Sequence, residues 1–185
     1  MQIGLGMHQS SGVNNGKLPP AEGNLSWRVH LLPYIEQDGV YKQFDPKQAW
    51  DAGRNRPLAD TVIKTYASPL DEGVLTQTHY RVFTGTGTAY DPELMRKRPF
   101  PEYITDGTSN TLLAVDTTES IPWPQPKEIP FQPNGSFPEL GHAKRPMALA
   151  LLCDASVRSF DKKKMDPALL RALITATGGE VVPDW

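Results

Sequence analysis

Six prolines fall between residues 122 and 138, at Pro122, Pro124, Pro126, Pro130, Pro133 and Pro138, in a chain that carries 18 among 185 residues. Each fixes φ and removes a backbone donor. The stretch therefore favours extended, polyproline-like backbone over helix or central strand. The elements on either side must be joined by a long surface excursion. The 47 residues after Pro138 are too few for an independent core, so the excursion is a loop within one domain spanning 1–185 and not a linker between two. A hydrophobic share of 38%, lean against the usual ~45–50%, agrees with a fold rich in loops.

Around this excursion the pattern reads α+β. Ile3 and Met7, four apart, share a helix face at the N-terminus. Ser10-Ser11-Gly12, Asn14-Asn15-Gly16 and Pro19-Pro20 then turn the chain away. Asn24 or Ser26 can cap a helix bearing Leu25, Val29 and Leu32, ended or kinked by Pro33. Asn55-Arg56-Pro57 starts another, with Leu58, Val62 and Ile63 on its apolar side and an end near Tyr66. The run Thr78–Thr84 is β-branched and aromatic and stops at Gly85-Thr86-Gly87, as a strand entering a turn does. A second strand follows over Thr111–Asp116, and residues 88–103 between them read as irregular. Ala148–Cys153 and Val157–Phe160 form a hairpin whose first strand, apolar on both faces, is central. The last helix has Asp166 as N-cap, Pro167 at its first position, Leu169, Leu170, Leu173 and Ile174 on one face, and Gly178-Gly179 as a stop. Val181-Val182 reads as a short strand or packed tail.

Charge and composition exclude several classes. A net charge of −2 from 19 basic and 21 acidic residues offers no field for a nucleic acid backbone. The runs Arg96-Lys97-Arg98 and Lys162-Lys163-Lys164 lack interleaved aromatics and read as solvated loops. A lone Cys153 allows no intramolecular disulfide. No stretch approaches the ~18 apolar residues of a membrane span, so no membrane contact is expected of the chain as given.

Several strings then fall into a familiar order: Gln2–His8, Lys17-Leu18-Pro19-Pro20-Ala21, Ser26-Trp27-Arg28-Val29, Leu31–Gln37, Tyr66-Ala67-Ser68-Pro69, Thr105–Thr111, Pro122-Trp123 and Leu170–Thr175. Together they resemble a large planctomycete family of unknown function whose members carry a prepilin-type leader. The resemblance implies a pilin-like head: an N-terminal helix packed on an antiparallel sheet of about four strands, with long proline-rich loops and a C-terminal helix. It further implies that residues 1–9 are the remnant of a longer helix, whose upstream part would anchor the protein in a membrane. Such a head would lie outside the cytoplasm and take as partners the protein subunits of a pilin-like or secretion assembly. Three departures stand out. Ser68-Pro69 replaces a frequent Cys-Pro, which leaves Cys153 as a free, buried thiol. The family's histidine about nine residues before Asp-Gly becomes His142 before Asp154-Ala155, and alanine is costly there if the turn needs φ > 0. The upstream part of the helix that the resemblance implies is expected to be absent from the chain as given.

On this reading no residue performs chemistry, and the expected role is structural or interactive. Candidate sites remain. Asp106, Ser109, Asn110 and Asp154 are hard oxygen ligands suited to calcium, the one cofactor considered, although the spacing is not that of an EF-hand. Trp123, between prolines in an expected exposed loop, could contact a carbohydrate or small ligand. Ser109, His142 and Asp154 would be the members of a serine-type triad, but no nucleophile elbow surrounds Ser109. The four histidines, His8, His30, His79 and His142, show none of the local spacings that present two ligands to zinc, so a transition-metal site is not expected.

Overall fold

A computed structural model describes residues 2–180 together with Val182. Helix α1 spans Gln2–Val13; α2 is Trp27–Leu31, α3 Asp38–Tyr41, α4 Pro92–Lys97 and α5 Pro167–Ile174. Strands β1 Gln77–Arg81, β3 Leu112–Pro122, β5 Met147–Leu152 and β6 Val157–Asp161 form a four-stranded antiparallel sheet in the order β1-β3-β5-β6. Two short strands, β2 Phe83–Thr84 and β4 Ile129–Pro130, pair in parallel beside it. The α+β architecture, with an N-terminal helix, a four-stranded antiparallel sheet and a C-terminal helix, is the one expected.

The sheet is buried on both sides. Ile3, Met7, Trp27, Leu113, Leu151 and Cys153 belong to one core cluster. Leu112, Val115, Ala148, Ala150, Leu152, Leu170 and Leu173 belong to another. Neighbours along β5 thus serve opposite faces, as the two-residue period of a strand requires, whereas β3 changes face at an irregularity between Leu112 and Ala114. This is why Ala148–Cys153 read as apolar throughout: β5 lies between β3 and β6. On one side α1 comes close to the sheet because it carries glycine. A Cβ built on Gly4 would stand 2.8 Å from Cβ of Ala155 and 2.9 Å from Leu151. The helix also runs further than the Ser-Ser-Gly signal suggested. Ser10 and Ser11 are buried within it, and the turn comes at Asn15 and Gly16, both at positive φ.

Local signals hold where the packing agrees with them. The Asp166 carboxylate accepts from Ala168 N, and α5 starts as read at Pro167 but ends at Ile174, before Gly178-Gly179. Helix α2 ends at Leu31, as the proline two residues on leads one to expect, and the chain continues through Pro33 as a 3-10 turn over Leu32–Ile35. Asn55 caps nothing. It is buried, its amide donates to the carbonyls of Asp45, Gln48 and Ala49, and the segment around it is a 3-10 helix over Gly53–Asp60. Residues 88–103 contain α4, whose Asp91 cap accepts from Glu93 N and Leu94 N. The expected strand Thr78–Thr84 breaks at Val82, whose N–H donates to the Glu128 carboxylate at 2.9 Å instead of to a neighbouring strand. Of the expected C-terminal strand, Val181 lies outside the described residues, and Val182 is in neither helix nor strand.

The proline-rich excursion is only partly a surface loop. Its first half is pinned to the core by Arg28, which is fully buried. Arg28 Nε donates to Trp123 O at 2.8 Å, Nη1 to Tyr80 O at 2.7 Å, and Nη2 to Gln125 O and the Glu128 carboxylate at 2.8 and 2.7 Å. Ser26, at the N-cap position of α2, uses its hydroxyl for Trp123 O rather than for its own helix. A chain with few backbone donors must find other partners for its carbonyls, and the guanidinium fork supplies them.

Candidate functional site

The sites expected from the sequence are dispersed or already engaged. Trp123 is buried, 1% exposed, with its indole N–H donating to Thr61 O at 2.9 Å and its ring stacked on Tyr66. The expected exposed contact is therefore a core residue, which corrects that reading. A concave surface lies elsewhere, in a groove of about 760 Å³ whose walls include Phe137, Phe160, Leu170, Lys162 and Lys163.

Of the proposed calcium ligands, Asp106 and Asp154 are engaged within their own turns or by nearby backbone. Both oxygens of Asp106 accept from the N–H groups of Gly178 and Gly179, and Asn110 donates to Asp106 O. Asp154 Oδ1 accepts from Ser156 N and Oγ within its own turn. Ser109 is half-buried in the turn before β3. No Ser109–His142–Asp154 triad forms, because both ring nitrogens of His142 have other partners: Nε2 faces Asp71 Oδ1 at 2.8 Å, and Nδ1 accepts Lys144 N–H at 3.1 Å.

Those partners belong to a cluster that sequence reasoning missed. Asp71 lies in the irregular segment before β1, His79 in β1, and His142 in the turn before β5. His79 Nε2 is 2.8 Å from Asp71 Oδ2, and its Nδ1 is 2.7 Å from Thr117 O. The two imidazoles meet edge to face with centroids 4.6 Å apart. Both histidines are buried, while the Asp71 side chain keeps 19% of its surface. His79 is aimed by a bulge. Thr78 pairs with Ile121 and Tyr80 with Asp116, so His79 alone stands opposite residues 117–120, and a bulge of this kind re-aims a side chain.

The hydrogen bonds assign the protons. Nδ1 of His79 faces a carbonyl and must carry hydrogen. Its Nε2 faces a carboxylate, so with only these partners the ring is an imidazolium. His142 is different: Nδ1 accepts, so Nε2 carries the proton and donates to Asp71. Burial by itself would raise the Asp71 carboxyl, but the hydrogen bonds from His142 and His79, together with the charge of the His79 ring, outweigh it and hold the group below its ordinary range. Beside the cluster, Asp116 is almost fully buried, paired with Arg145 and accepting from Leu149 N at 2.7 Å. Among the described residues, Asp71, His79 and His142 are the group of acid, histidine and cysteine side chains close enough to share one metal ion, with ligand atoms all within 4.8 Å of one another.

Residues 1–102, more than half of the 185, match a family described as proteins of unknown function, DUF1559. The chain belongs to this family. Within DUF1559 the match covers α1 through α4 and includes Asp71 and His79, while His142 lies beyond it. No curated protein and no solved structure matches the chain. DUF1559 thus supplies kinship without a reaction, and the functional argument rests on the geometry. No helix among the described residues is long and apolar enough to cross a membrane.

Proposed function

We propose that this DUF1559 domain is a non-catalytic structural or interaction module, the head of a pseudopilin-like assembly working outside the cytoplasm, with protein subunits as its partners. The observation that carries the reading is the placement of α1. Its inner face, Ile3, Gly4, Gly6, Met7 and Ser10, is buried against the body of the domain, while Leu5 and Val13 stand 51% and 69% exposed on its outer side. Between residues 2 and 13 the helix does not project from the head. The surface available to a neighbouring subunit is the outer ridge of a helix held rigidly by the sheet. A helix laid on an antiparallel sheet in this way is the arrangement implied by the prepilin-type relatives, and a leader of that type belongs to the same proposal. Two of the side chains that a serine-type triad would need also support the reading, since His142 and Asp154 are engaged by Asp71 and by Ser156.

Single cysteines test the assembly surface, because Cys153 is buried and need not be removed. Leu5→Cys and Val13→Cys should cross-link into discrete multimers in the native cell envelope, with Glu22→Cys on the exposed 22–24 turn as a control that stays monomeric. Uniform absence of cross-links at Leu5 and Val13, or turnover of an ester, peptide or glycoside by the purified domain, would overturn the proposal.

A further inference from the structure

We infer that Asp71, His79 and His142 form a binding site for a divalent transition metal, zinc being the ion that best suits the donors. Two imidazole nitrogens and one carboxylate make a mixed N/O set that borderline metals accept and that calcium or magnesium does not favour. The two Nε2 atoms converge on opposite oxygens of one carboxylate at 2.8 Å each. Tetrahedral zinc with bonds near 2.0–2.1 Å sets its ligands roughly 3.3 Å apart, so the ion fits if each imidazole–carboxylate contact opens by about half an ångström and the ligand atoms, all within 4.8 Å of one another, draw in to that spacing. The carboxylate that must move is on the half-buried segment beside the exposed Glu72 and Gly73, whereas His79 is fixed in the sheet.

Surroundings match the demands of a metal. The second nitrogen of His79 is anchored on Thr117 O, the outer partner that orients a ligating imidazole and fixes its tautomer. An accessible groove of about 480 Å³, lined by Asp71, Glu72, Val74, Gln77, Ser120 and Lys144, borders the cluster at Asp71 and can bring a water ligand to it. Binding has a defined proton balance. The ion takes the lone pair of His79 Nε2, whose proton leaves to solvent. At His142 the proton moves from Nε2 to Nδ1, and the bond from Lys144 N–H is given up to water at this exposed residue. The ion would tie together three segments that are separate in the chain: the 68–73 turn, β1 and the turn before β5.

The test uses the full chain, stripped with a chelator and then supplied with zinc chloride. One zinc per chain should remain after gel filtration, and at a hundredfold excess over Kd the Tm should rise by about 5–10 °C. His79→Gln and His142→Gln should each weaken binding at least tenfold, while His30→Gln leaves it unchanged. Imidazole nitrogen NMR of the unaltered protein gives an independent reading: zinc should switch His142 from the Nε2–H to the Nδ1–H tautomer, a change that does not depend on any variant folding. A chain that retains no zinc, or a His79→Gln/His142→Gln double variant that binds zinc as tightly as the parent, would overturn the site. Cross-linking at Leu5 and Val13 is scored separately, so failure of the metal site and failure of the assembly reading are distinguishable.

Discussion

At the scale of single residues, two positions show how this chain departs from the easiest local choice. Ala155 sits at φ 67° in the turn between β5 and β6, a conformation that costs a non-glycine residue roughly 1–2 kcal/mol. Ala155→Gly should raise stability by about 0.5–1 kcal/mol, part of the relief being offset by the greater freedom of glycine in the unfolded chain. A urea titration with an unchanged slope and a higher midpoint would bear this out, and a lower midpoint would mean that the contact of the methyl with Gly4 outweighs the strain. Arg28 is the opposite case, a charge taken wholly out of water and matched by Glu128 and three carbonyls. Arg28→Met should lose about 3–5 kcal/mol by leaving Glu128 buried without its partner. Arg28→Met/Glu128→Leu should recover a large part of that loss. Equal denaturation midpoints for the single and double variants would show that Glu128 is not the source of the cost. The sequence displays Arg28 only as an arginine in an amphipathic run, because each of its acceptors lies more than fifty positions away.

At the scale of elements, α1 and the proline-rich excursion are held by close approach rather than by intrinsic propensity. Gly4→Leu would place its side chain into Ala155 and Leu151, and should destabilise by about 1–3 kcal/mol. Gly12→Ala on the same helix meets open space and should stabilise by roughly 0.5–1 kcal/mol. Thermal denaturation of the pair reports whether α1 is docked as described, and equal effects of the two substitutions would argue against that docking. The excursion makes a contrary prediction to the one its composition suggests. As an exposed ligand contact, Trp123 could be truncated without loss of stability. As a buried ring between Phe44 and Tyr66, Trp123→Ala should cost about 3–5 kcal/mol, and an unaltered Tm would return Trp123 to the surface. The start and buried face of helix α5 were legible because its cap, first-turn proline and apolar residues are neighbours in sequence. The split between β1 and β2 was not, because it depends on a Glu128 carboxylate that competes with the sheet for the N–H of Val82.

For the molecule as a whole, the Asp71 cluster couples stability to pH. The folded carboxyl titrates below its unfolded value of about 3.9. Its contribution is therefore complete above that value and is lost as the pH falls through the lower, folded one. Chelator-treated protein should lose stability below about pH 4 more steeply than its Asp71→Asn variant, as read from urea midpoints across pH. Parallel profiles would mean that the hydrogen bonds to His79 and His142 do not persist in solution. What the sequence by itself determined is whatever depends on near neighbours: the α+β class, the doubly apolar β5, the capped α5, and the expectation that Cys153 is a buried thiol, which its environment holds well above the usual range through burial and then the charge of Asp154. The tertiary structure decided which distant groups meet. Asp71 joins His79 across eight positions and His142 across 71, and because Asp71 lies in an irregular segment outside the strands no periodicity of a single helix or strand carries the pairing. The histidines gave no local metal spacing because their convergence is created by a bulge in β1 and by the return of the chain beside β5. Trp123 entered the core for a related reason: a buried guanidinium satisfied the carbonyls of a proline-rich segment that would otherwise have had to stay in water.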